Sequence, residues 1–355
     1  MTIVPGNTTT HAFASLFHGT GAVSGVGSLP FLAVAPAIEF IARWCPDVPF
    51  WPQLRRMSPR EAMIPQTFGM HMRHLTALRG EHGFGITADR VGRFFETLER
   101  ANACFDTTCA AGFFAFVDAW SRGAFPGARA VKGQVMGPIT TAASLSVDGT
   151  VFLDHPGYRH DIADYIVRLA RWQVDMLLKC SGSVILVLDE AYLGVAIREN
   201  PLRREFIVDV LKSVILRVRR PGVLVGIHCC DKIPFAVINE IEADLFSFDA
   251  HNGGAAFALD PEGRRFVDGG GHIAWGWIPT LDDLSRTHAD AIVERWVDAT
   301  STMCGKDEQA AARIHARSLI TASCGLAGSS LATCERSFQI ARDASAGFAR
   351  RAVPA

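Results

Sequence analysis

The chain has 355 residues, a formal net charge of −1, 49% hydrophobic and 20% charged residues. That balance excludes a disordered chain, and near-neutrality excludes the basic stripe that nucleic-acid binding calls for. Residues 1–38 hold no Asp, Glu, Lys or Arg, yet Pro5, Gly19, Gly21, Gly25, Gly27 and Pro30 interrupt any apolar helix there. The stretch lacks a basic leader region and reads as an extension over 1–20 rather than a targeting segment. No run of about 18 apolar residues occurs, so no membrane partner is expected. Nine cysteines, an odd number in a chain without a secretion signal, do not read as a disulfide framework. Cytoplasmic thiols are then expected.

Short apolar runs alternate with amphipathic stretches along the chain. The runs at 23–29, 50–54, 131–137 and 184–190 predict strands, followed by 223–229, 244–249, 272–278 and 318–324. Their near-continuous hydrophobicity suits strands covered on both faces, as in a parallel sheet. Helical spacing marks 160–180, where Ile162, Tyr165, Ile166, Leu169, Trp172 and Met176 recur, and also 203–219, 233–242 and 281–299. Residues 67–130 hold more helix than one crossover needs. Eight β–α units predict an α/β protein of the closed (β/α)₈ TIM-barrel type, one domain spanning 21–350.

In such a barrel the site lies at the C-terminal strand ends. Position alone puts Ser28, Gln53, Asp189, Glu190, His228, Cys229, Cys230, Asp249, His251 and Cys324 there. Strand alternation sends His228 and Cys230 to one face and Cys229 to the other. Cys324, at the end of the last strand, faces the same mouth. A nitrogen and two sulfurs suit zinc and leave a position open, with Asp249 a candidate oxygen ligand. Two thiolates make a soft metal that favours a substrate sulfur and deprotonates it near neutral pH, which points to S-alkylation or its reverse. Glu190 neighbours Asp189, faces the other way and is expected to pair with an arginine. His272, at a strand start, reads as structural, as do Cys104 and Cys109. Trp275 and Trp277 read as core aromatics, one of them a candidate wall of a cofactor pocket. Arg55-Arg56 reads as solvated charge.

The segments GVGSLP (25–30), VKGQVMGPIT (131–140), LDEAYL (188–193), GIHCCD (226–231), FSFDAHN (246–252), AWGWIPT (274–280) and LITASCGL (319–326) follow one another in a recognisable order. On these motifs the chain resembles the uroporphyrinogen decarboxylase/cobalamin-independent methionine synthase superfamily, and within it the methionine-synthase-like zinc methyltransferases. The resemblance implies a TIM barrel, with His228, Cys230 and Cys324 matching the zinc ligands. It sets Asp249 where the synthases carry a glutamate ligand, Asp189 on an aspartate that holds the amino group of homocysteine, and Ser28 on a serine of the amino-acid pocket. Glu190 joins Ser28 and Asp189 as a candidate substrate-binding residue. Departures are Ala191 for a proline after the Asp-Glu pair, Asp for Glu at 249, and no histidine within 275–280. The synthases' long N-terminal half has no counterpart in these 355 residues. These departures point away from methyltetrahydrofolate, the synthases' donor, and towards a corrinoid such as methylcobalamin, free or on a partner corrinoid protein. The expected acceptor is a small thiol such as homocysteine. Two other readings fit the superfamily, a metal-free decarboxylase with a wide basic cleft and a non-catalytic corrinoid- or zinc-binding module.

Overall fold

The computed structural model describes residues 21–77, 83–280 and 284–352; the expected extension over 1–20 lies outside them. Seven parallel strands form the main sheet: β1 (Ala22–Val23), β2 (Val131–Met136), β3 (Val184–Asp189), β4 (Val223–Cys229), β5 (Leu245–Phe248), β6 (His272–Ile278) and β7 (Ser318–Ala322). Their order across the sheet is β1-β7-β6-β5-β4-β3-β2. Apart from the β1–β7 pairing, neighbours in space are neighbours in this series, the common arrangement of sequential strands.

Val, Ile and Leu fill both faces of these strands. One face packs on the helices in a large core that includes Val131, Leu186, Val225, Phe246, Ile273 and Ile320. The opposite face forms a small separate cluster of Ala22, Val48, Ala130, Ile185, Val187, Leu224, Leu245, Ala274 and Leu319. That second cluster is the inside of the curl. It stays small because polar side chains replace it towards the C-terminal ends of the strands, among them Lys132, Gln134, Asp189, His228, Ser247 and Thr321.

The expected eighth strand, 50–54, does not form a ladder, and the barrel is not closed by regular pairing. The segment instead touches both outer strands through isolated bridges, Phe50 with Lys132 and Ser28 with Gln53. Gln53 N donates to Gly27 O at 3.0 Å and Lys132 N donates to Pro49 O at 2.9 Å. Pro49 and Pro52 carry no N–H and so cannot extend a ladder, which explains bridges where a strand was expected. The first strand is likewise shorter than 23–29 predicted.

Helices flank the outer face: α1 (Val34–Trp44), α2 (Pro138–Ala143), α3 (Pro156–Leu177), α4 (Arg204–Val218), α5 (Ala250–Leu259), α6 (Ala289–Cys304) and α7 (Leu331–Ala352). α3 and α4 match the predicted 160–180 and 203–219, the predicted 233–242 holds only a short helix over Ala236–Glu240, and α6 begins later than the predicted 281–299, of which 281–283 lie outside the described residues. The long 67–130 region adds helices Ala88–Arg100 and Ala111–Ser121. A second sheet of four short strands (76–77, 84–86, 145–147 and 150–151) was not foreseen. Among the described residues no helix is long and apolar enough to cross a membrane.

Candidate metal centre and cavity

Strand register builds the site. Met136, Asp189, His228 and Ser247 are partners in successive ladders and so form one row across β2, β3, β4 and β5. All four lie near the C-terminal ends of their strands, on the inner face. Cys230 follows two residues after His228 and returns to that face, whereas Cys229 is fully buried on the helix side, with its thiol donating to Asp231 O at 3.5 Å. Burial pushes the Cys229 thiol up to about 12, so it is inert.

Cys324 comes from the turn after β7, three strands from β4. In a flat sheet that separation is about 14 Å. Yet the ligand atoms of His228, Cys230 and Cys324 all lie within 4.8 Å of one another. Only strong curvature of the sheet permits this, so the cluster itself measures how far the sheet has curled. Local packing seats the cysteine: a Cβ on Gly325 would lie 2.1 Å from Ser28 Oγ, so only glycine lets this turn press against the 25–30 segment.

The donor set is polarised before any ligand arrives. His228 Nδ1 is bonded to Ser247 Oγ at 2.9 Å, while its Nε2 is buried with no protein partner. The Cys230 thiol donates to Cys324, which holds the Cys324 thiol well below the ordinary range, and His228 adds to the effect. Cys230, as the donor, is pushed up by the same bond and by burial. A buried imidazole nitrogen without a partner beside two such thiols is a donor set that fits zinc.

The cluster opens on a cavity of about 740 Å³. Ser28, Gln53, Asp189, His228, Cys230 and Cys324 line its inner part, and Met63, Ile64, Pro65 and Phe84 make an apolar wall. Asp189 is almost fully buried and its Oδ1 has no protein partner. Burial pushes its carboxyl up to about 6, opposed by His228 and by Lys132. Lys132 lies deeper, donating to Val26 O at 2.7 Å and to Gln134 Oε1 at 3.3 Å. Burial lowers its ammonium to about 8.

Ser28 and Asp189 therefore line the cavity, but two other candidates do not. Glu190 turns away from the cavity and caps helix α2, accepting from Ile139 N at 3.0 Å, Thr140 N at 2.8 Å and Thr140 Oγ1 at 2.7 Å. Its partners are these donors, not an arginine and not a substrate pocket. Asp249 is outside the three-residue cluster. It is the N-cap of α5, accepting from Asn252 N at 3.1 Å and Asn252 Nδ2 at 2.7 Å. The strand stops at Phe248, so the backbone turns into the helix before Asp249 can point inward. His251 lies within α5, its Nδ1 3.1 Å from Arg295.

His272 is wholly buried beside Asp244 O, and burial drives its imidazole down to about 3. Trp275 and Trp277 stack on each other at 5.4 Å on the outer face, so neither walls the cavity. Cys109 is buried against Gln66 O at 3.7 Å, and Cys104 is exposed. Conversely, Arg55 borders the cavity instead of being only a surface charge. The sequence offered no reason to prefer Arg55 to Arg56. Ser247 was also missed, although its inward register beside His228 was available from the alternation in FSFD.

Fold and site together define an α/β protein with a His–Cys–Cys cluster at the C-terminal mouth of a curled parallel sheet. No family model matches the chain, and no curated protein matches it. Among solved structures it is similar to a B12-independent methionine synthase from Shewanella sp. W3-18-1, solved in complex with selenomethionine. The identity is 13% and the TM-score 0.46, over 66% of this chain and 67% of that one.

Proposed function

We propose that the protein is a zinc-dependent methyltransferase acting on a small thiol such as homocysteine. The observation that carries this reading is His228 Nε2, buried and without a hydrogen-bond partner, in a cluster where the ligand atoms of His228, Cys230 and Cys324 all lie within 4.8 Å of one another. Zinc bound there would act as a Lewis acid that keeps an acceptor sulfur deprotonated at neutral pH. Asp189, the unpartnered acid on the same wall, receives an ammonium group of the acceptor. Ser28 offers a hydroxyl to its polar end, and the Met63–Pro65 and Phe84 wall excludes water from the reacting face. In the transfer, a lone pair on the acceptor sulfur forms the new S–CH₃ bond as the donor–CH₃ bond breaks. The bonding pair leaves with the donor, methylcobalamin or methyltetrahydrofolate in this reading. The chain contributes position and charge: two reactants held in line gain the entropic advantage of an intramolecular step.

A decarboxylase for a many-carboxylate substrate needs a wide basic cleft. Among the described residues that line this cavity Arg55 is the only arginine or lysine. The methyltransferase reading predicts about one zinc per purified chain by elemental analysis, estimated from the one three-ligand cluster among the described residues. X-ray absorption at the zinc edge should gain a sulfur neighbour when homocysteine is added. A protein that turns over without metal would overturn it.

A further inference from the structure

We propose that Ser247 is a positioning residue that sets the ring orientation of His228 and presents Nε2 to the two cysteines. The inference rests on the metal-site reading above and extends it to a residue that makes no contact with metal or substrate. Three observations meet at this pair. Ser247 and His228 are register partners on β5 and β4, so their side chains rise side by side from the inner face. Ser247 Oγ lies 2.9 Å from Nδ1. Both residues are buried, so no water competes for that nitrogen.

A hydroxyl suits this place for a specific chemical reason: it both donates and accepts. When the imidazole proton is on Nε2, the serine O–H donates to Nδ1. With metal on Nε2, the proton resides on Nδ1 and donates to the serine oxygen. The same contact therefore survives loading, and the ring does not have to turn. A carboxylate in this position could only accept, and would hold the proton on Nδ1 with or without metal. A side chain without a polar group would leave Nδ1 buried and unsatisfied in both states, which costs about 1–3 kcal/mol for a neutral group. Partners of this kind fix the tautomer of a ligating histidine, and removing them typically weakens metal binding about 10- to 100-fold.

The test contrasts Ser247→Thr with Ser247→Val, two variants of nearly equal shape that differ in the hydroxyl, with Ser247→Ala beside them. Zinc affinity is measured by chelator competition, and the His228 ring nitrogens are followed by ¹⁵N NMR with and without zinc. We expect Ser247→Val and Ser247→Ala to bind zinc roughly 10- to 100-fold more weakly, and Ser247→Thr to stay within about threefold of wild type. Zinc-loaded wild type and Ser247→Thr should show a protected Nδ1–H signal that the valine variant lacks. Wild-type affinity in Ser247→Val overturns the inference. Should wild type bind no zinc, the functional reading fails, and the zinc-free spectra then decide this one. His228 shifts that differ in Ser247→Val and return in Ser247→Thr support the positioning role; shifts that stay the same in both refute it.

Discussion

Cys229 and Cys230 are adjacent, chemically identical at the side chain, and opposite in environment. One donates to Asp231 O among helix-side hydrophobics; the other lines the cavity beside His228 and Cys324. Strand alternation alone makes that division. It predicts that Cys229→Ala retains zinc at wild-type stoichiometry while losing about 1 kcal/mol of stability, the ordinary cost of a lost buried contact. Cys230→Ala should lose the metal while remaining folded. Zinc measured in both variants checks this, and metal retained by Cys230→Ala would remove the cluster from consideration. Asp189 supplies a second contrast. Asp189→Asn is isosteric and uncharged, so an amino-bearing thiol should show a KM raised about 10-fold or more, as when a charge-assisted hydrogen bond worth about 1.5–3 kcal/mol is lost. A thiol without an amino group should be nearly unaffected. Comparing KM for the two acceptors separates recognition from general damage.

Parity made much of the site legible before any coordinates, because alternation is a rigid property of strands. It failed at Asp249 because the alternation argument assumes the strand continues. There the carboxylate found backbone and side-chain donors of Asn252 and began a helix, as short acidic side chains do. Glu190 was harder to place, since nothing in Asp-Glu says which neighbour the outward carboxylate meets. The answer lies in an element 50 residues earlier in the chain. Gly137 is the other half of that contact: a Cβ there would fall 2.3 Å from Glu190 Oε1, so the helix α2 entrance is shaped around this carboxylate. The three bonds favour the anion, but burial is the larger effect and pushes the carboxyl up to about 7 from an ordinary 4.5. Between those two values the folded protein keeps a proton that the unfolded chain releases. Stability therefore falls as pH rises through this window, and the penalty levels off above about pH 7. Glu190→Gln carries no such proton. Wild type should lose up to about 3 kcal/mol relative to Glu190→Gln between pH 5 and 8, read from urea midpoints. Parallel curves for the two proteins would show that the carboxylate is already charged at pH 5.

At the scale of the molecule, most of the parallel sheet was legible because each strand is a compact apolar run with its own helix behind it. The short side sheet was not: its strands are two or three residues long, below the length at which period-two patterning can be recognised. One signal was available, Asp148-Gly149 between 145–147 and 150–151, where both residues adopt positive φ, 47° and 84°. An Asp-Gly pair between short apolar runs is a hairpin signature. Of the expected eight strands, the one at 50–54 is flanked and interrupted by prolines at 49 and 52, which reduce it to bridges. The curl consequently depends on whatever else ties distant strands together, and the His228–Cys230–Cys324 cluster joins β4 to the turn after β7. A ligand binding all three should therefore stabilise the fold as a whole. At free zinc about 1,000-fold above the dissociation constant, linkage contributes about 4 kcal/mol. Unfolding entropy near 2.1 cal/mol/K per residue, applied to 355 residues, converts this to a rise of roughly 5 °C in the melting midpoint. Calorimetry on zinc-loaded and chelator-treated protein should show that rise for wild type and for Cys229→Ala, and none for Cys324→Ser. An equal rise in Cys324→Ser would mean that zinc stabilises the chain somewhere other than this mouth.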